Sequence, residues 1–261
     1  MFAKHSDTNT TELPIEYTDI FNQRAGSYHF AMANWPNARF NEFDALLEIT
    51  DLKKDQVVLD YPSGGGYLGQ FVPHDIQLIH LESCEVFQRF CSLNSAFASK
   101  LCHQGELPLQ DKSADWVLSL AGLHHESNKL GLFKEMARVL KPDGQLVIAD
   151  ASQNSKTAQF LDQWVNQYNP MGHNGEYFNS QTLIELESAG LELISLQEKH
   201  YHWEFESKNQ AAQYCQQLFG ISLANLSQVE RALEHYLGFD ILPNGVGLKW
   251  QLQFIHCQNN H

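Results

Sequence analysis

Val57-Val58-Leu59-Asp60-Tyr61-Pro62-Ser63-Gly64-Gly65-Gly66-Tyr67 is the stretch that decides the fold. Three β-favouring apolar residues end on a carboxylate, and a glycine-rich turn follows at once. A strand that runs into such a turn brings backbone close to a ligand at the strand's C-terminal edge. Gly64, Gly66 and Gly69 also satisfy the G-x-G-x-x-G spacing, which taken alone is a weak signal for a nicotinamide dinucleotide.

Charge separates the candidate ligands. A dinucleotide carries a pyrophosphate into the turn, where Asp60 would repel it. S-adenosylmethionine carries an ammonium and a sulfonium, which Asp60 would attract. The next acidic landmark is Glu82, 22 residues on, at the end of the apolar run Leu78–Leu81. A carboxylate at the end of a second strand accepts ribose hydroxyls, a role shared by both cofactors.

Outward from the turn, strands and helices alternate. Gln56–Asp60, Leu78–Leu81, Lys100–His103, Asp115–Leu120, Gln145–Asp150, Leu191–Leu196 and Gly247–His256 read as seven strands. A helix follows the second run through Phe97, and Asn128–Leu140 forms another. Lys141–Gly144 is a turn in which Gly144 is expected to take the positive φ, and Ser180–Ala189 is a helix capped by Asn179. Apolar strands separated by helices predict a mainly parallel, Rossmann-like α/β sheet with helices on both faces. Residues 1–14 read as a flexible tail, 15–50 as an aromatic-rich helical segment, and 51–261 as the main domain. Within that domain, about 199–239 read as a helical insertion before the last strand.

Several stretches resemble the class I S-adenosylmethionine-dependent methyltransferases. VVLDYPSGGGYLGQF is similar to their first motif, Asp/Glu-x-Gly-x-Gly-x-Gly, with Pro62 in place of the first glycine. Ile79–Ser83 resembles the second motif, Leu107–Val117 the lead into the fourth strand, and Glu135–Ile148 the helix, turn and fifth strand. The motifs keep family order and spacing from about residue 55 to 150. The resemblance implies an antiparallel last strand and S-adenosyl-L-methionine as cofactor. It implies cofactor contacts from Asp60, Ser63, Gly64, Gly65, Gly66, Glu82, Ser83 and Leu120, with His103 and Gln104 where the family has an acid for the adenine amino group. It also implies that residues 15–50 fold over the cofactor as a lid, with Tyr28 bordering the methyl group.

His124, at the end of the fourth strand, is the candidate base, and Tyr28 the second catalytic candidate. Tyr201, Trp203, Tyr214 and Phe219 are expected to wall an acceptor pocket in the insertion, with His202, Gln213 and Gln217 orienting polar groups. The acceptor itself is predicted to be a small molecule. Two rivals stand beside this reading: a nicotinamide-dependent oxidoreductase, and a methyltransferase-like binding module without catalysis.

Lys plus Arg number 17 against 31 Asp plus Glu, a net charge of −14. That field disfavours nucleic acid as a partner. No apolar run of membrane-spanning length and no signal-peptide core occurs, so a cytoplasmic protein without a membrane partner is expected. The five cysteines lack a Cys-x-x-Cys pair and the thirteen histidines lack His-Glu-x-x-His, so no metal is assigned.

Overall fold

The computed structural model describes residues 17–260, so the tail expected over residues 1–14 lies outside the described residues. Val57–Asp60 (β1) forms the centre of the sheet because Val58 and Leu59 are fully buried against neighbours on both faces. Around it run Gln77–Glu82 (β2), Ala98–Leu101 (β3), Ala114–Leu120 (β4) and Leu140–Asp150 (β5), all parallel. Leu191–Phe205 (β6), Phe239–Leu242 (β7) and Gly245–Asn259 (β8) complete the sheet, whose order is β3-β2-β1-β4-β5-β8-β6. β8 is antiparallel to both β5 and β6, as expected for the last strand. The expected seven strands are the seven of this path. β7 is an eighth strand, paired with β8 at Phe239–Leu242.

Helices Tyr17–Asn34 (α1), Phe40–Leu47 (α2), Glu85–Asn94 (α3), Lys129–Val139 (α4) and Ser180–Ser188 (α7) frame the sheet. Between α4 and α7 the chain passes through Lys156–Gln159 (α5), a π-helical run Phe160–Val165 and Asn166–Tyr168 (α6). Asn179 caps α7 in a capping box with Thr182, as its position predicted.

Two expectations need correction. Residues 199–205 are strand and not helix: β6 continues to Phe205, pairing with β8 along its whole length. The insertion therefore comprises Lys208–Leu218 (α8) and Leu226–Tyr236 (α9). Long-range pairing overrode the polar character of Lys199–His202. The expected turn Lys141–Gly144 lies within β5, and there the positive φ falls on Asp143, at 63°. Gly144 is needed for a different reason: a Cβ there would lie 2.8 Å from the Lys141 carbonyl oxygen.

Candidate active site

The C-terminal ends of β1, β2 and β4 meet at the point where chain order reverses, the usual place for a ligand crevice in an open α/β sheet. Asp60 and Leu120, the last residues of β1 and β4, line a cavity there with Ser63 and Gly64 of the turn. Tyr28 and His125 also line it. The turn bends tightly because Gly64 and Gly66 both take positive φ, 55° and 74°. Pro62 fills the space that the absent first glycine would leave open. A Cβ on Gly122 would sit 2.5 Å from its Cγ, so the two residues fit each other across the β1 and β4 loops.

Asp60 is buried, and its Oδ2 lies 2.8 Å from Nδ1 of the fully buried His80. His80 Nε2 in turn lies 3.0 Å from Ser95 Oγ. Burial pushes the Asp60 carboxyl above the ordinary range, and the His80 contact opposes that shift. Gly69, third in the glycine spacing, serves this packing: a Cβ there would stand 2.5 Å from Ser95 Oγ and 3.0 Å from His80 Nε2.

Glu82 is fully buried and accepts four hydrogen bonds. Oε1 accepts from the Ser83 and Cys84 backbone N–H groups, each at 2.9 Å. Oε2 accepts from Gly64 N–H at 2.7 Å and from the Tyr17 hydroxyl at 3.1 Å. Burial pushes this carboxyl up to about 8 even so. Tyr17 and Phe21 of α1 line the cavity with Asp60, while Thr18 and Asn22, one residue on, line a second cleft with Ser83, His103 and Leu107. The first turns of α1 thus divide into two the groove in which the expected cofactor residues lie.

Of the expected cofactor residues, Asp60, Ser63, Gly64 and Leu120 share one cavity, and Ser83 and His103 share the other. Gly65 and Gly66 line neither of the two; Gly66 packs its backbone against α3, where a Cβ would come within 3.0 Å of Cys91 Cα. Gln104 donates through Nε2 to the His125 carbonyl and to Glu126, each at 3.3 Å. Gln104 Oε1 and Ser83 Oγ are buried with no hydrogen-bond partner among the described residues. Both are unmatched polar atoms beside the Glu82 end of β2, and a bound nucleoside would offer them partners. The donor and acceptor set therefore fits S-adenosylmethionine, provided that Tyr17 withdraws from Glu82.

The catalytic candidates are separated. Tyr28 borders the cavity, and its hydroxyl accepts a hydrogen bond from Arg39 Nη1 at 2.6 Å. Arg39 is itself paired with Glu42, a buried partner that also accepts from Trp203 Nε1 at 2.7 Å. His124 turns away to a buried carboxylate, Nδ1 to Asp150 Oδ1 at 2.8 Å, while its neighbour His125 lines the cavity. Both histidines are candidates from the sequence and His124 is preferred there, because the pattern does not tell which of two adjacent residues on a short turn faces the crevice. The residues lining this cavity belong to α1, to α2 and Arg39 before it, to α3, and to the ends of β1 and β4 with the loops that follow them. None of them comes from the insertion. Trp203 and Tyr214 are buried in the core, and Gln213 bonds Asn209 on the exposed face of α8.

Fold and crevice define a Rossmann-like methyltransferase domain of class I. Residues 59–148 match the family described as "Methyltransferase domain". The chain is 31% identical over 180 residues to the malonyl-[acyl-carrier protein] O-methyltransferase of Marinomonas sp., an alignment covering 64% of each chain. It is 29% identical over 134 residues to the mouse protein named "Probable tRNA methyltransferase 9B", covering 49% of this chain and 28% of that one. Among solved structures, the geranyl diphosphate C-methyltransferase of Streptomyces coelicolor, described as a complex with Mg2+, geranyl diphosphate and S-adenosyl-L-homocysteine, superposes with a TM-score of 0.57 at 14% identity, covering 89% of this chain and 83% of that one. Residues 59–148 are thus a methyltransferase domain, in agreement with the ordered motifs of the class I S-adenosylmethionine-dependent enzymes, and the chain spans less than two thirds of the length of the curated relatives it matches. Among the described residues no helix is long and apolar enough to cross a membrane.

Proposed function

We propose that the protein transfers the methyl group of S-adenosylmethionine to a small-molecule acceptor held in the Asp60–His125 cavity. The observation that carries this reading is the pair of buried carboxylates, Asp60 and Glu82, at the ends of two adjacent parallel strands with Gly64 between them. Asp60 attracts the ammonium of the methionyl end, and Glu82 accepts the ribose hydroxyls. Ser83, His103 and Gln104 border the base, with Ser63 and Leu120 along the methionyl chain. S-adenosylmethionine supplies a methyl already bonded to a sulfonium leaving group, so positioning accounts for most of the acceleration. Tyr28, held by Arg39, borders the acceptor side of the cavity. His125, the imidazole that lines the cavity, is placed to take the proton of an acceptor that arrives protonated, while His124 is held by Asp150.

The aromatic lining of the cavity supports a small acceptor, and the net charge of −14 opposes a polyanion. Calorimetric titration of the full chain tests the cofactor, with saturable binding of S-adenosylhomocysteine and none of NAD expected. NAD binding without S-adenosylhomocysteine binding would overturn the reading. Methyl transfer to unmodified tRNA, with none to a panel of small carboxylates, amines and thiols, would overturn the acceptor class.

A further inference from the structure

Beside the cavity, three histidines from two distant parts of the chain converge. His124 and His125 lie on the 3-10 turn Leu123–His125 after β4, and His173 comes from the loop beyond α6. Their ring centroids are 4.1 Å apart for His124–His125 and 5.4 Å for each pairing with His173. One ring nitrogen from each lies within 4.8 Å of those of the other two.

The surroundings resemble the support that metal-bound imidazoles need. His124 Nδ1 lies 2.8 Å from Asp150 Oδ1, and His173 Nδ1 lies 3.4 Å from Asp162 Oδ1. A carboxylate beside Nδ1 fixes the N–H there and leaves the Nε2 lone pair free, the arrangement found behind ligating histidines. Both carboxylates are held in turn. The Tyr177 hydroxyl donates to Asp162 Oδ1 at 2.6 Å, and the His124 and Ala151 backbone N–H groups donate to Asp150 at 2.9 and 2.7 Å. The loop itself is fastened, because Glu176 N–H donates to the His124 carbonyl at 2.8 Å and His173 N–H to Asn166 Oδ1 at 2.8 Å.

Simple ring stacking accounts for proximity, but not for two Nδ1 atoms each facing a carboxylate. Arg24 and Lys129 are the cations within electrostatic reach of the group. Asp150 and Asp162 supply matching negative charge.

We propose that His124, His125 and His173 bind one divalent metal of the zinc class through three imidazole nitrogens, leaving a fourth position for water or the heteroatom of an acceptor. Three nitrogen ligands with one open position form the usual catalytic arrangement for such ions. Ligands at about 2.0–2.1 Å in a tetrahedron stand roughly 3.4 Å apart, so the rings draw together by about an ångström on binding. His125 belongs to both the trio and the cavity wall, which puts the metal next to the acceptor space. Within the methyl-transfer reading, the metal would lower the pKa of a bound hydroxyl or thiol, and its proton would leave to solvent instead of to a histidine. Binding itself does not rest on that reading.

The test uses the full chain, stripped with a chelator and titrated with Co(II) or Zn(II) alone. One Co(II) per chain is expected, with the intense visible absorption of a four-coordinate site. His173→Ala and His125→Ala should each lose at least 10-fold in affinity, and Asp162→Asn about 10-fold, the usual effect of removing an outer carboxylate. Far-UV circular dichroism checks each fold. If the alanine variants unfold, imidazole proton resonances of the wild-type chain decide, because Zn(II) should move three of the thirteen histidines. Absence of stoichiometric binding, binding unchanged by folded His173→Ala, or fewer than three moved histidines would overturn the proposal. A metal that binds in a chain showing no S-adenosylhomocysteine binding would leave the site standing and sink the methyl-transfer reading.

Discussion

Tyr17 donates its hydroxyl to Oε2 of Glu82 at 3.1 Å and so occupies the acceptor that a ribose hydroxyl would use. Phe21, one turn later, packs on Phe87 with ring centroids 4.9 Å apart and holds the start of α1 over the groove. Further along, Ala31 and Met32 of the same helix are part of the principal core. The segment expected to act as a detachable lid is therefore anchored at one end. Withdrawal concerns its first turns, and a point substitution tests it better than deletion of residues 1–40.

Tyr17→Phe removes the competing donor and keeps the ring. S-adenosylhomocysteine should bind about 3–10-fold more tightly, since one buried hydrogen bond must be surrendered in the wild type and not in the variant. Calorimetry reads the change. Weaker binding in a folded variant would make Tyr17 part of the bound state.

Glu82 carries a pH signature. Its carboxyl is raised to about 8 in this folded state, against an ordinary value of 4.5. The folded chain thus holds a proton that the unfolded chain has lost, and the contribution of Glu82 to stability is complete below 4.5 and disappears as pH rises towards 8. Cofactor binding runs the other way, because ribose hydroxyls need the carboxylate as acceptor. Affinity for S-adenosylhomocysteine should rise from pH 6 to 9 and become flat in Glu82→Gln, which binds about 1–3 kcal/mol more weakly at the upper end. A pH dependence retained in the variant would assign it to another group.

His173 has the opposite sign. Burial lowers it to about 4, so the unfolded chain binds the extra proton first. Its contribution to stability is present above about 6.5 and is lost as pH falls towards 4. Urea unfolding at pH 7 and pH 4.5 should show a larger acid loss for wild type than for His173→Gln. Equal losses would place the acid sensitivity elsewhere.

Gly122 and Pro62 are coupled by contact. Gly122→Ala drives a methyl into the Pro62 ring and should destabilise by about 1–3 kcal/mol. The penalty should shrink in the double variant Pro62→Gly/Gly122→Ala, measured as a double-mutant cycle. Strict additivity would mean that the loops relax independently.

Trp203 belongs to the core. It stacks on Trp250 at 4.0 Å and donates to Glu42. Trp203→Ala should cost about 3–5 kcal/mol in chemical denaturation. A variant of unchanged stability would contradict that burial.

The sequence by itself determined the Rossmann-like sheet, the cofactor class and the two carboxylates, because these are local signals. A strand ends on Asp60, a glycine turn follows, and Glu82 ends the next strand at a helix-and-strand distance. Ordered motifs over residues 55–150 tied them together. Only the tertiary structure decided what depends on contacts between remote segments. Residues 199–205 look polar and became strand because β8 offered a full ladder of backbone partners. Trp203 and Tyr214 suit a pocket wall by composition and lie in the core because β6 and α8 pack beneath α1 and α2. His173 lies 48 residues from His125, with no motif linking them, and the loop after α6 brings them together. Tyr17 and Glu82 meet across 65 residues in the same way. Side-chain direction and long-range docking depend on the packed whole, and no short pattern in the chain encodes them.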